Sequence, residues 1–399
     1  MDLKHPLREV CEGGGRFLVP VVNITDASKG PGKKAGGMFY NPAMELDRNI
    51  SVLFFSASLK NKDPHILDAL CASGIRGIRY AREMSMLADT SPCTTLNDAN
   101  RFSCELAERN ALRNSLSPGE NIHVRCGKAQ AIMCEERFDI IDIDPYGPAV
   151  PFLDSAFQGI KHGGIISLTA TDTATACGTY QTTCRRRYQA TGLRNTLRHE
   201  AGLRIVIGHA VRRAAEQDMA LEPMLGYWYD HYFRMFFTAS RSLSRARKLL
   251  EHIFVGAYDP NTGEVAKTLW NPAESAWDTI PKTRGATTFG PYWTGEIING
   301  STISTMKSLL PSWWDRTDKT KATARILDIL SEEAGMPPFF RDTNDIGKMS
   351  GVVPKRADII NRLKEAGFAA SRTHFSPTGI KTNAATEMLA ELSKNPQTF

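Results

Sequence analysis

Residues 138–147 read Phe-Asp-Ile-Ile-Asp-Ile-Asp-Pro-Tyr-Gly, and the fold follows from how this stretch is read. Phe138 to Ile143 is short, apolar and rich in β-branched residues, which predicts a buried strand. Asp144-Pro145-Tyr146-Gly147 then falls at the carboxyl end of that strand, where open α/β sheets hold their ligand crevices. The plainer reading is a turn, because Asp, Pro and Gly are common turn residues. Taken alone, the four letters favour the turn; the surrounding chain reverses the preference.

Strand and helix signals alternate on both sides. His65–Leu70, Thr94–Asp98, Ile122–Cys126 and Gly164–Thr169 predict further strands, with a glycine turn at 73–77 leading into one helix and Ala99–Asn114 forming another. Such alternation implies right-handed crossovers and a parallel sheet covered on both faces, an α/β fold of Rossmann-like form. Glu222–Tyr229 and His231–Ser240 predict a closing hairpin around Asp230. Near the N-terminus, residues 16–24 predict a strand and residues 28–37 a mobile basic loop with three lysines. Asn41 and Pro42 then supply the cap and first turn of a helix running through Phe54.

The pattern changes near residues 241–260, which divides the chain into a domain at 1–245 and a smaller α+β domain at 246–399. Residues 261–300 are rich in Trp, Gly, Pro and Thr and predict short strands; 304–310 and 321–333 predict helices. Residues 342–375 predict helix, turn, helix (356–366) and an extended wing at 369–375, so this domain is winged-helix-like in part. Trp293, Trp313 and Trp314 are expected in its core.

A chain of 399 residues is long enough for two or three domains and a sizeable core. No apolar run is long enough to span a bilayer, and the first residues lack an apolar signal core. The expected location is therefore the cytoplasm, with no membrane partner. Eight cysteines stand at 11, 71, 93, 104, 126, 134, 177 and 184 without a C-x-x-C pair, so neither a zinc ribbon nor a disulfide framework is indicated. The net charge of +6 permits a polyanionic partner. Arg185, Arg186, Arg187, Arg194, Arg198, Arg204, Arg212 and Arg213 make a basic middle, which Arg234, Arg241, Arg245, Arg247 and Lys248 extend. Most charge runs are solvated faces. Few acids intervene here, so a phosphate-facing surface is at least as well supported.

The turn after the first strand, Asp68 to Gly77, brings backbone close to a ligand, because glycine has no Cβ. It suits a dinucleotide, a methionine-derived cofactor or no ligand at all. The third glycine of G-x-G-x-x-G is missing, which counts against NAD. Asp98 ends the second strand, where an acid accepts both hydroxyls of a ribose; its plainer role is a helix cap. With S-adenosylmethionine as cofactor, catalysis reduces to alignment and control of the nucleophile. Asp144 and the carbonyl of Pro145 would take hydrogen bonds from an exocyclic base amine and draw its nitrogen towards a reactive pyramidal form. Tyr146 would stack on the base, and the carboxylate would receive the departing proton.

These motifs together resemble the archaeal and eukaryotic tRNA (guanine-N2)-dimethyltransferases that act at position 26 of tRNA. The resemblance runs from Glu12-Gly13 to Thr382. It is carried by FYNP at 39–42 with Arg48, DALCASGIRGIRYA at 68–81, LND at 96–98, IDIDPYG at 141–147 and TATDTATACG at 169–178. GYWYDHYFRMFF at 226–237, GPYWTG at 290–295 and SRTHFSPTGIKT at 371–382 complete it. It implies a class I methyltransferase sheet, S-adenosyl-L-methionine as cofactor, and transfer of one or two methyl groups to guanine N2 of tRNA, with no obligate protein partner. It places cofactor contacts on Arg48, Arg76 and Asp98, catalysis on Asp144, and a base clamp on Phe39 and Tyr146. Lys128-Ala129 stands where the family has an acid before alanine. Lysine cannot accept the adenine amine's hydrogen bond, so backbone or Ala129 contacts must serve. Pro148 replaces the usual Ser or Thr, and residues 256–263, which read as a short hairpin, replace a zinc ribbon, so no metal is expected. Arg372 is expected to touch tRNA along with Arg185, Arg186 and Arg187; His374 is assigned no role. Asp172 suits either the guanine pocket or a helix cap. Residue chemistry alone leaves open an adenine or cytosine amine in DNA or rRNA. A non-catalytic tRNA-binding chaperone is the other alternative, and intact Asp144, Arg76 and Asp98 argue against it.

Overall fold

The computed structural model describes residues 6–21, 40–59, 63–271, 276–281, 283–314 and 317–394. The basic loop expected at 28–37, and Phe39, lie outside the described residues. In chain order the elements begin β1 (Leu7–Glu12), β2 (Gly15–Pro20), α1 (Glu45–Ser58), β3 (His65–Asp68), α2 (Ile75–Ala88), β4 (Cys93–Asp98) and α3 (Arg101–Arg113). They continue β5 (Ile122–Cys126), α4 (Ala129–Glu135), β6 (Phe138–Ile143), α5 (Leu153–Gly159), β7 (Ile160–Ala170), α6 (Thr173–Ala176), α7 (Gln181–Tyr188) and α8 (Arg198–Ala215). Then come β8 (Met219–Tyr229), β9 (Tyr232–Arg241), α9 (Leu243–Leu250), β10 (Ile253–Tyr258), β11 (Val265–Leu269), α10 (Ala276–Thr279) and β12 (Thr287–Trp293). The last are α11 (Gly300–Ser308), α12 (Asp318–Glu333), β13 (Arg341–Asp342), α13 (Thr343–Ser350), α14 (Arg356–Glu365), β14 (Ala370–Arg372), β15 (Gly379–Thr382) and α15 (Thr386–Lys394).

The main sheet has strand order β5-β4-β3-β6-β7-β9-β8. Its strands β3 to β7 pair in parallel, with Leu67 opposite Thr95 on one side and Ile141 on the other. Ile66, Leu67, Ile140, Ile141 and Ile143 are wholly buried, which is why these runs read as continuously apolar rather than alternating. The class I methyltransferase form expected of the sheet is therefore present. Packing divides the chain into two compact units that alternate along it: residues 1–169, 238–240 and 301–327, then 170–237, 241–300 and 328–399. Neither unit ends at residue 245.

Local signals explain most boundaries in the first unit. Asn41 caps a single 3-10 turn at Pro42–Met44, its Oδ1 accepting the Ala43 N–H at 2.9 Å, and α1 follows. The helix expected from Ala99 starts at Arg101, because Asn100 caps it by accepting the Phe102 N–H at 3.0 Å. β2 has an unforeseen antiparallel partner, β1, joined through Gly13 and Gly14 with φ of +55° and +70°. A Cβ on Gly13 would lie 2.2 Å from Glu83 Oε1, so glycine is required there. The strand expected over His65–Leu70 stops at Asp68, where the Ala69 N–H turns to the Asp142 carbonyl at 3.0 Å. Trp314 belongs to this unit rather than to the core of a second domain: its Nε1 donates to Glu83 at 2.8 Å. Trp313 is 36% exposed and so is not core.

The second unit holds Trp293, which is buried as expected. β10 and β11 form an antiparallel hairpin with Tyr258 opposite Val265, which matches the hairpin predicted at 256–263. α13, α14 and the antiparallel pair β14–β15 make the expected helix, turn, helix and wing, with β13 completing a sheet of order β13-β15-β14.

The SRTHFSPTGIKT segment closes this wing onto buried charge. His374 Nδ1 faces Glu333 at 2.7 Å, and its Nε2 accepts the Trp228 N–H at 3.3 Å, so the ring proton sits on Nδ1. Thr373 Oγ1 donates to Glu333 at 3.0 Å, and Lys381 Nζ donates to Glu200 at 2.6 Å while lying 3.3 Å from Glu333. Burial acts to raise the Glu333 carboxyl, but His374 and Lys381 outweigh it and hold it at about 2. Its contribution to stability is therefore present above the ordinary carboxylate range and is lost as pH falls towards 2. Glu333→Ala leaves the buried His374 Nδ1–H and the Thr373 hydroxyl without their acceptor and removes one of the two acids facing Lys381. It should cost about 3–5 kcal/mol, read as a lower urea midpoint with an unchanged slope.

Candidate active site

The strand order reverses direction at β3: β4 and β5 extend to one side, β6 and β7 to the other. The loops after β3 and β6 thus flank the switch point of the sheet, where such folds open a crevice. Asp144 follows β6, and Arg76 sits in the first turn of α2, just after the glycine loop that leaves β3. Gly74 in that loop has φ of +78°, and a Cβ there would meet Ala107 at 2.8 Å. A side chain at Gly77 would come 2.2 Å from Leu96, so this glycine lets α2 press against β4.

Arg76 gathers the site. Its Nη2 donates to Asp144 Oδ2 at 2.5 Å and to Asp47 Oδ2 at 2.7 Å. Its Nη1 donates to Ser51 Oγ at 3.3 Å and lies 3.5 Å from Asp142 Oδ2. Asp142, in turn, takes the Tyr80 hydroxyl on Oδ2 and the Ser167 hydroxyl on Oδ1 at 2.9 Å. Asp47 and Asp142 are fully buried, whereas the Asp144 side chain is 23% exposed. The carboxylate predicted to act is thus the one that opens towards solvent. Pro145 is buried beside it and Tyr146 is 62% exposed.

Asp98 reaches the same glycine loop. Its Oδ2 accepts the Ala72 N–H at 3.0 Å and its Oδ1 accepts the Asn100 N–H at 2.8 Å. The cap of α3 is Asn100, not Asp98. A carboxylate has about four acceptor positions, so two remain on half-buried Asp98, enough for a ribose diol. Arg48 is buried and bidentate to Glu12, at 2.5 and 2.6 Å. Burial acts to raise the Glu12 carboxyl, but Arg48 and Arg79 pull it down to about 2. Among the described residues Arg48 Nη1 makes no hydrogen bond, which leaves a donor for an anionic group. Lys128 is exposed at the start of α4 and makes no side-chain cap; Ala129 is buried next to it. These groups fit a cofactor with a ribose and a carboxylate.

Four more side chains belong to this cluster and were not singled out in the sequence: Asp47, Asp68, Tyr80 and Asp142. A signal for Asp142 was present, because an acid inside a strand buried on both faces must be paired. Asp47 and Tyr80 gave none.

The residues expected to meet tRNA lie in the second unit and differ among themselves. Arg185 and Arg186 are exposed on α7. Arg187 instead donates to Asp172 Oδ2 at 2.5 Å, and the Tyr188 hydroxyl donates to Asp172 Oδ1 at 2.7 Å. Asp172 precedes α6 but makes no side-chain cap bond there. Arg372 is bidentate to Glu332, at 2.9 and 2.5 Å. Arg204, Arg212 and Arg234 are buried, so the basic middle is not one surface. Among the described residues, no group of three or more His, Cys, Asp or Glu is placed to hold a metal ion, and no helix is long and apolar enough to cross a membrane.

Residues 16–394 match the family of N2,N2-dimethylguanosine tRNA methyltransferases. The tRNA (guanine(26)-N(2))-dimethyltransferase of Pyrococcus furiosus is 36% identical over 407 residues, covering 97% of this chain and 98% of that protein. Its counterpart in Thermococcus kodakarensis is 37% identical over 404 residues, again covering 97% and 98%. Trm1 from Pyrococcus horikoshii, solved in complex with S-adenosyl-L-methionine, superimposes with a TM-score of 0.82 at 33% identity, over 98% of this chain and all of that one.

Asp68 supplies a test of the buried charge. Burial and then Asp142 raise its carboxyl to about 7, while its Oδ2 accepts the Gly77 N–H at 3.0 Å. A carboxyl raised in the folded state favours folding when protonated, so stability should fall as pH rises from about 4 to 7. Asp68→Asn keeps the acceptor and removes the titration. Thermal melts from pH 4 to 8 should show a flatter decline than the parent protein.

Proposed function

The chain belongs to the N2,N2-dimethylguanosine tRNA methyltransferase family, and from that premise we propose that it methylates guanine N2 at position 26 of tRNA, adding one or two methyl groups. S-adenosyl-L-methionine, when bound, supplies a methyl group made electrophilic by its sulfonium. The carrying observation is Asp144 beside Arg76 at the switch point of the sheet.

Each residue then has a task. Asp98 accepts the ribose hydroxyls of the cofactor, Arg48 receives its carboxylate, and Arg76 is assigned to the cofactor site as the cation that holds Asp144 there. Backbone at Lys128 and Ala129 borders the adenine, because a lysine side chain has no acceptor to offer. Asp144 and the Pro145 carbonyl accept hydrogen bonds from the guanine amine, which withdraws its lone pair from the ring. As N2 gains the methyl it must lose a proton, and Asp144 takes it. Tyr146 and Phe39 hold the base, which leaves its stack at a cost of a few kcal/mol. Asp47, Asp142 and Tyr80 fix the guanidinium against which Asp144 rests. In this reading residues 1–245 carry the chemistry and 246–399 grip the tRNA body. Arg185, Arg186, Arg187 and Arg372 are assigned to tRNA; Arg187 and Arg372 would have to exchange their carboxylate partners for phosphate. The protein is proposed to work in the cytoplasm without an obligate protein partner.

Unmodified tRNA incubated with cofactor should yield N2-methylated guanosine by nucleoside mass analysis, and a tRNA with adenosine at position 26 should yield no methylated base. Equal methylation of that adenosine would reject the reading. Asp144→Ala should lower turnover by about 10²–10⁴-fold while the Kd for S-adenosyl-L-methionine, read by calorimetry, survives. Asp98→Ala should instead weaken cofactor binding by about 10–100-fold, since it removes charged hydrogen bonds.

A further inference from the structure

We infer that the C-terminal end of α8 gathers a cationic docking surface for the phosphate backbone of tRNA, built from Arg185 and Arg186 of α7 and Arg245, Arg247 and Lys248 of α9. All three helices lie in the second unit. The inference rests on tRNA being the substrate.

Two anchors bring the helices together. Buried Arg212, in the last turn of α8, donates from Nη2 to the Tyr188 carbonyl at 3.0 Å and from Nη1 to Gln189 Oε1 at 3.4 Å. That pins the end of α7 which carries Arg185 and Arg186. Three residues past α8, the Asp218 carbonyl accepts the Ser242 N–H at 3.2 Å, and Ser242 caps α9. The two anchor points are six residues apart in the chain, one in the last turn of α8 and the other in the turn that follows it. Residues 60 positions apart in the chain are thereby assembled at one end of one helix.

The charges have no internal use. Arg185, Arg186, Arg245, Arg247 and Lys248 are all exposed, and none makes an ion pair among the described residues. Arg213 is the neighbour whose charge is already spent, since it pairs with Glu216. Glu251, just past α9, is an exposed acid at the border of the patch. Cations in the last turn of a helix favour its dipole, which gives Arg247 and Lys248 a modest structural reason to be there. Arg245 lies in the first turn of α9, where the dipole disfavours a cation, so the helix gains nothing from it. Five unpaired cations around one helix end repel one another unless an anion joins them. A phosphate backbone supplies a row of anions and releases its counterions on binding.

The test is tRNA binding by the full chain, measured by filter retention between about 50 and 300 mM KCl. R245A/R247A/K248A should raise the Kd for unmodified tRNA by about tenfold at low salt and reduce the slope of log Kd against log salt by about 2 to 3. R185A/R186A should reduce that slope by about 1 to 2. Cofactor affinity and the melting temperature should match the parent in both, which separates lost docking from lost folding. Unchanged affinity and slope in both variants would overturn the inference. So would weaker binding with an unchanged slope, because the lost contact would then not be ionic. Nucleoside analysis with the parent protein judges the methyl transfer separately, so failure of the surface and failure of the substrate assignment are distinguishable.

Discussion

One guanidinium holds the candidate site together. Arg76 is buried, and three carboxylates converge on it from α1, from β6 and from the loop after β6. A charge removed from water must be paired or it costs several kcal/mol. Arg76 cannot leave its acids, and the acids cannot separate from it. The consequence is geometric: Asp144 is held at the switch point of the sheet, and it is the member of the set that reaches solvent. A surplus of buried negative charge also follows. It is expressed in the raised carboxyl of Asp68, which burial and Asp142 push to about 7.

The same economy recurs in the second unit. Glu200 and Glu333 face Lys381 and His374, and Arg204 donates to Glu200 at 3.0 Å. Lys381 and His374 arrive on the wing, whereas Glu200 and Arg204 sit on α8. Here buried charge fastens a peripheral element to a central helix, and no partly exposed acid is left over. Both clusters are dense in ionisable groups, and in the first unit Asp144 follows β6 at the switch point of the sheet with its side chain partly exposed.

Basic residues show how far sequence can mislead. Thirteen Lys and Arg between 185 and 248 read as one phosphate-facing stretch. In three dimensions Arg204, Arg212 and Arg234 are interior, Arg187 and Arg213 are paired with acids, and Arg241 also has an interaction of its own. Helical periodicity does not distinguish an arginine that snorkels to water from one that caps a neighbouring carbonyl, as Arg212 does.

The linear chain determined the parallel sheet, because runs such as Phe138–Ile143 are apolar on both faces and tolerate no other environment. It also determined the position of Asp144 at a strand end, the glycines that let α2 approach β4, and the hairpins at 222–240 and 256–263. Each of these is set by residues within a few positions of one another. Tertiary structure alone decided that Asp47 and Tyr80 complete the site, that His374 is a buried anchor, and that α7 is tied to Arg212 in the last turn of α8 while α9 is tied to the turn after it. These depend on pairs 24 to 146 positions apart in the chain. The energy of such pairs comes from shared burial, which no local pattern records.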